Sequence, residues 1–127
     1  MKKNRSFRVL LSLFGAAGLF WLNEILVWIF GIIVRNTGAS FGLNIGGTLF
    51  SAAVLAGLGW WVIWKGEGQW LLPVWWGGGL NLIDRIRFGY VRDYWYLGFG
   101  LYNNLADWII VLGGMVFIIN LWMKRSK

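Results

Sequence analysis

The sequence contains no cysteine and no histidine among its 127 residues. This absence excludes disulfides, thiolate nucleophiles, Ser-His-Asp relays and the usual zinc sites. Acid–base chemistry must therefore fall to the five Asp and Glu residues. We expect an enzyme of this composition to use no metal and no other cofactor.

Charge is also scarce, since only 13% of the residues are charged while 58% are hydrophobic, and the mean hydropathy is +0.61. Such a composition does not suit a surface solvated by water. A spanning helix needs about 20 mostly apolar residues, so the chain has room for four spans and short loops. The sequence predicts an all-α integral membrane protein with one membrane domain, residues 1–127.

Four apolar segments predict transmembrane helices at about 9–34, 43–64, 70–86 and 104–123. The first follows a basic leader, a pattern that also opens secretory signal peptides. Its apolar run is longer than a signal-peptide core, and the small residues at 15–18 are typical of a helix-packing surface. We therefore expect the segment to remain in the mature protein.

The positions of the basic residues predict the orientation. Four spans put both termini on one side, and eight basic residues fall on that side: Lys2, Lys3, Arg5, Arg8, Lys65, Lys124, Arg125 and Lys127. Four fall opposite: Arg35, Arg85, Arg87 and Arg92. The positive-inside rule then predicts cytoplasmic termini. Because the net charge of +7 lies mainly at helix ends, we expect membrane lipids as partners and no nucleic acid.

Most acids lie towards the predicted outer face: Asp84, Asp93 and Asp107 at the ends of spans three and four, and Glu24 within span one. Ionisable residues at membrane depth are costly and are functional candidates. Two structural alternatives stay open. Asp84 could belong to a salt-bridged clamp with Arg85, and Asp107 could only favour a helix N-terminus.

Paired carboxyl groups are the best remaining candidates for catalysis. Two close carboxyl groups cannot both ionise easily, so they tend to share one proton and titrate together. The ionised member can then take a proton from water while the protonated member donates to a developing oxyanion. This arrangement would hydrolyse a peptide bond without a covalent intermediate.

Three ordered stretches resemble blocks of the lipoprotein signal peptidase (signal peptidase II) family. Residues 77–94 are similar to the family pattern Gly-Gly-x-x-Asn-x-x-Asp-Arg followed by Gly-x-Val-x-Asp-Phe. Residues 103–107 resemble its Phe-Asn-x-Ala-Asp block, and residues 35–42 resemble its Asn-x-Gly-Ala-Ala-Phe segment. Three motifs in order are far more specific than one.

The resemblance implies a multi-pass aspartic endopeptidase of the bacterial cytoplasmic (inner) membrane, with its active site towards the extracytoplasmic face. It implies that Asp93 and Asp107 are the catalytic dyad. Five residues are implied to bind substrate or support the site: Asn36, Asn81, Asp84, Arg85 and Asn104. The implied partner is the signal peptide of a diacylglyceryl-modified prolipoprotein, and we expect a monomer.

The first span departs from the family pattern, which has an Asp and, four residues later, a Lys near its outer end. Asn23 and Val27 are the nearest equivalents, and Glu24 is a possible substitute for the acid. The outer segment before Asn36 is also shorter than in the family, which predicts that the family's small β-platform is missing.

Two other classes of function compete with the peptidase. A small proton-coupled exporter would use a lone membrane carboxylate such as Glu24. A non-catalytic membrane scaffold would account for the small residues and tryptophans of the helices. Neither explains why three Asp residues gather with Asn and Arg at the ends of spans three and four.

Overall fold

The computed structural model describes residues 5–37, 47–65 and 68–125. Four α-helices account for most of them: α1 (Arg5–Phe30), α2 (Gly47–Lys65), α3 (Leu72–Phe88) and α4 (Leu105–Arg125). A single 3-10 turn, Gly68–Leu71, precedes α3. Four short strands lie between the helices: β1 (Val34–Asn36), β2 (Val91–Asp93), β3 (Trp95–Gly98) and β4 (Leu101–Asn103).

The helices lie where the four apolar segments predict them, with shifted ends. The first helix ends at Phe30 instead of continuing to residue 34. Gly31 adopts a positive φ of 71°, a left-handed conformation that ends helices and that glycine adopts without a steric penalty. The chain then enters β1. The predicted start of the second helix, at residue 43, lies outside the described residues.

Two of the described helices are long and apolar enough to cross a membrane. They comprise Ser12–Phe30 within α1 and Leu105–Arg125, while the apolar part of α2, Gly47–Trp61, is shorter. Large apolar side chains on the helices are exposed, among them Trp28 at 85% and Leu49 at 78%. Helices that expose such residues in bulk are typical of proteins solvated by lipid.

Helices α3 and α4 pack antiparallel and very closely. Gly77 faces the start of α4, where a Cβ atom would lie 2.6 Å from the backbone oxygen of Ala106. At the other end, Gly113 of α4 lies against Pro73 and Val74. Because only glycine allows this approach at position 77, the next turn of α3 brings Asn81 beside the first turn of α4.

The structure is mostly helical, as the sequence predicts, but short strands also join the helices on the side where α1 and α3 end and α4 begins. Strand β1 pairs antiparallel with β2, placing Val34 opposite Asp93. The short outer segment predicts no β-platform, yet this two-stranded sheet lies there. Strands of three residues are too short to show an alternating pattern, and β1 is paired with residues 55 to 59 positions further along the chain.

Strands β3 and β4 form a second antiparallel sheet between β2 and α4, with Trp95 opposite Asn103. The backbone N–H of Tyr94 donates to the carbonyl of Asn103 at 3.1 Å. The β3–β4 hairpin therefore brings the chain back beside the end of β2. Asp93, just before the hairpin, therefore lies close to Asn104, just after it.

Candidate active site

Asp93 is the last residue of β2 and is almost completely buried, with 1% of its surface exposed. Its Oδ1 accepts a hydrogen bond from Asn104 Nδ2 at 2.8 Å, and its Oδ2 accepts one from Asn36 Nδ2 at 3.2 Å. Burial raises the pKa of Asp93 above its ordinary value, and the nearby charge of Asp107 adds to the rise. The hydrogen bonds from the two amides and the charge of Arg85 oppose it only in part.

Asp107 lies in the first turn of α4 and forms a reciprocal cap with Asn104. The backbone N–H of Asp107 donates to Asn104 Oδ1 at 3.1 Å, while the backbone N–H of Asn104 donates to Asp107 Oδ2 at 3.2 Å. These bonds satisfy two N–H groups that the helix itself leaves unpaired. The structural alternative for Asp107 therefore holds as well, because its carboxylate caps the helix.

The other carboxylate oxygen of Asp107, Oδ1, accepts neither of these capping bonds. Asp107 Oδ1 accepts a hydrogen bond from Asn81 Nδ2 at 3.0 Å, across the close contact of α3 with α4. Capping thus uses one oxygen and leaves the other beside the α3 side chains. A carboxylate fixed through both oxygens keeps a defined orientation.

Asn104 joins the two acids. Its side-chain oxygen caps α4 beside Asp107, and its side-chain nitrogen donates to Asp93. The structure thus gathers three amides predicted for the site, since Asn36, Asn81 and Asn104 each bond one of the two carboxylates. The charge of Asp107 also acts on Asp93. Two carboxyl groups that interact in this way can titrate as a pair and activate a water molecule.

A cavity of about 330 Å³ opens beside these residues. Its polar lining comes from Asn36, Ser51, Asn81, Arg85 and Asp107. The apolar lining comes from α2, α3, β2 and α4: Phe50, Val54, Leu55, Leu58, Val74, Val91, Ile110 and Val111. Asp107 therefore borders a space that suits a largely apolar chain with one polar segment.

Arg85 and Asp84 are neighbours in sequence but have different surroundings. Arg85 lines the cavity and is attracted electrostatically to Asp107, Asp93 and Asp84. Asp84 is buried and accepts hydrogen bonds from the backbone N–H and the guanidinium of Arg92. The sequence predicts Arg85 as the partner of Asp84, and the structure shows Asp84 in a salt bridge with Arg92, a residue that sequence reasoning did not place in the site.

Arg92 also bonds Glu24 of α1, which Arg87 contacts in turn at 3.1 Å. Opposite charges and these hydrogen bonds raise the pKa of Arg92, although burial opposes the rise. Glu24 is therefore not the lone membrane carboxylate that an exporter would use. The pairing of residues 24 and 92 has no local sequence signal, which explains why it was missed.

Comparisons with known proteins show which family the chain is similar to. The model of a family described as "Signal peptidase (SPase) II" matches residues 9–123. A lipoprotein signal peptidase of Halothermothrix orenii is 39% identical over 103 residues, covering 73% of this chain and 70% of the relative. That of Syntrophus aciditrophicus is 32% identical over 136 residues, covering 90% and 84%.

A solved structure shares the fold. The chain is similar to one described as "Bacterial membrane enzyme structure by the in meso method at 2.3 A resolution", with a TM-score of 0.69 and 22% identity. The similarity covers 91% of this chain and 89% of the other.

Proposed function

Because the chain belongs to the signal peptidase II family of aspartic peptidases, which remove signal peptides from lipoproteins, we propose that Asp93 and Asp107 are its catalytic dyad. The observation that carries the proposal is the double role of Asn104, whose side chain donates to the Asp93 carboxylate and whose backbone N–H donates to the Asp107 carboxylate. Asn36, Asn81 and Arg85 then orient the dyad and the substrate at the mouth of the cavity, while Asp84 braces the fold.

The different surroundings of the two acids suggest their roles. Burial raises the pKa of Asp93, so Asp93 holds the shared proton, and Asp107, which lines the cavity, is the base. Asp107 takes a proton from water as the water oxygen attacks the scissile carbonyl. Asp93 donates its proton to the developing oxyanion, which gives a neutral diol. As the C–N bond breaks, the leaving amine takes the proton held by Asp107, and a hydroxyl of the diol returns its proton to Asp93 as the C=O bond re-forms. The pair again holds one proton at the end.

The substrate in this proposal is a diacylglyceryl-modified prolipoprotein. Its apolar signal peptide would lie against the apolar walls of α2 and α4, with the bond preceding the lipidated cysteine beside Asp107. The cavity's apolar walls and polar lining support this placement. The enzyme acts as a monomer among membrane lipids.

A direct assay tests this function. The purified protein, in detergent or lipid, is incubated with a diacylglyceryl-modified precursor, and release of the signal peptide is followed on a gel. The same precursor without the lipid is the control. Specific release supports the peptidase, whereas an inert but folded protein would favour the exporter or the scaffold.

For topology, we propose that all four helices span the bacterial cytoplasmic membrane, with both termini cytoplasmic and the dyad at the outer face. The family match and the eight-to-four distribution of basic residues support this orientation.

The cysteine-free chain allows a clean test of orientation. Phe99→Cys, at the fully exposed tip of the β3–β4 hairpin, should react with a membrane-impermeant thiol reagent in spheroplasts. Lys127→Cys should react only after permeabilisation. The reverse pattern would place the dyad in the cytoplasm, where it could not act on translocated lipoproteins.

A further inference from the structure

Tyr94 directly follows Asp93 and is almost fully buried, with 1% of its surface exposed. Its hydroxyl donates to Asn23 Oδ1 of α1 at 2.9 Å and accepts from the backbone N–H of Leu105 at 2.9 Å. The ring stacks on Phe30 with a centroid separation of 6.4 Å. One phenol therefore connects α1, the chain after β2, and α4.

The contact of Tyr94 with Leu105 bears on the position of Asp107. Leu105 is the first residue of α4, and its N–H is one of the donors that a helix leaves unsatisfied. Asp107 lies in the same turn and is fixed to that turn by its capping bonds. A shift of the phenol would therefore move Asp107 relative to Asp93.

We propose that Tyr94 is a positioning residue whose hydroxyl, held by Asn23, sets the separation of Asp93 and Asp107. This inference rests on the proposed function. It adds to it a chain of hydrogen bonds, the relay, that runs from Asn23 of α1 through Tyr94 to Leu105 and contacts neither substrate nor the attacking water. Strand geometry supports it, because Arg92 and Tyr94 flank Asp93 and point away from it. Both contact α1, through Glu24 and Asn23 respectively.

The hydroxyl is suited to a permanent bridge. Burial raises the pKa of Tyr94 to about 12, so the phenol keeps its proton throughout the range in which the enzyme works. A protonated phenol can donate to Asn23 and accept from Leu105 at the same time.

Tyr94→Phe removes the bridge and keeps the ring. We expect kcat to fall about 10- to 100-fold, because small misplacements of catalytic groups have effects of this size, while KM stays within about two-fold. Tyr96→Phe is the matched control, since Tyr96 is 58% exposed and its ring lies against Tyr102. An unchanged kcat in folded Tyr94→Phe would overturn the proposal, as would a change confined to KM.

Amide hydrogen exchange at Leu105 gives a readout independent of activity. Exchange should be faster in Tyr94→Phe than in wild type or Tyr96→Phe, while helicity and elution in detergent are retained. Unchanged exchange would contradict the relay even if the wild type is active. An inert wild type with the expected exchange pattern would instead count against the proposed function alone.

A double-mutant cycle tests whether Asn23 and Tyr94 act together. Asn23→Ala should lower kcat, and Asn23→Ala with Tyr94→Phe should be little worse than either single variant, because both remove one relay. Additive losses would show two independent effects and overturn the proposal. If Tyr94→Phe does not fold, a wild-type kcat in Asn23→Ala would overturn it equally.

Discussion

Asp93→Asn and Asp107→Asn should each abolish release of signal peptide while leaving the helices folded. Asparagine keeps the size of aspartate but cannot exchange a proton at this site, so neither variant can both activate water and protonate the developing oxyanion. Loss should exceed about 1,000-fold in kcat/KM, measured with a diacylglyceryl-modified precursor under single-turnover conditions.

The double variant sharpens this test. Effects within one catalytic unit are strongly non-additive, so Asp93→Asn combined with Asp107→Asn should be little worse than either alone. Circular dichroism in detergent controls for folding, especially for Asp107→Asn, since Asp107 also caps α4. A folded single variant that cleaves at near the wild-type rate would eliminate the dyad.

The dependence of activity on pH is a second test of the Asp93–Asp107 pair. Activity requires one proton on the pair, so it should fall in acid, when both carboxyls are protonated, and in alkali, when the shared proton leaves. Because burial raises the pKa of Asp93, the alkaline fall should lie above the range of an exposed aspartate. Alkaline loss within that ordinary range would contradict the assignment of the proton to Asp93.

The sequence predicts which residues form the site better than it predicts which of them bond one another. Asn36, Asn81 and Asn104 could be selected because they lie in recognisable motifs, and each contacts a candidate catalytic acid. The spacing of Asn104 and Asp107 also carries a local signal, since residues three apart at a helix start can cap each other. Local spacing of this kind is visible in a single sequence.

Contacts between residues far apart in the chain have no such local signal in the sequence. The bonds of Glu24 with Arg92 and of Asn23 with Tyr94 join residues about 70 positions apart, and no periodicity relates them. Strands β1 and β2 pair across a similar distance and are three residues long. These contacts depend on how the helices pack, so they follow from the tertiary structure and not from local pattern.

The buried ion pair of Asp84 and Arg92 should contribute to stability more than to chemistry. Both residues are about 4% exposed, so Asp84→Ala would leave a buried guanidinium whose acidic partner among the described residues is Glu24. Breaking one side of a buried pair typically costs about 3–5 kcal/mol. We expect the free energy of unfolding to fall by about 3 kcal/mol, because Glu24 still compensates in part. Unfolding by SDS in mixed micelles, followed by tryptophan fluorescence, measures the loss.

Two further variants distinguish the buried Asp84–Arg92 pair from the more exposed contact of Arg92 with Glu24. Glu24→Gln should cost about 1 kcal/mol or less and retain measurable cleavage, because the side chain of Glu24 is 24% exposed and an amide oxygen can still accept from Arg92. Asp84→Ala combined with Arg92→Met should regain much of the stability, since no uncompensated charge then remains buried. If Glu24→Gln destabilises the protein more than Asp84→Ala, the main anchor of Arg92 lies on α1 and not on α3.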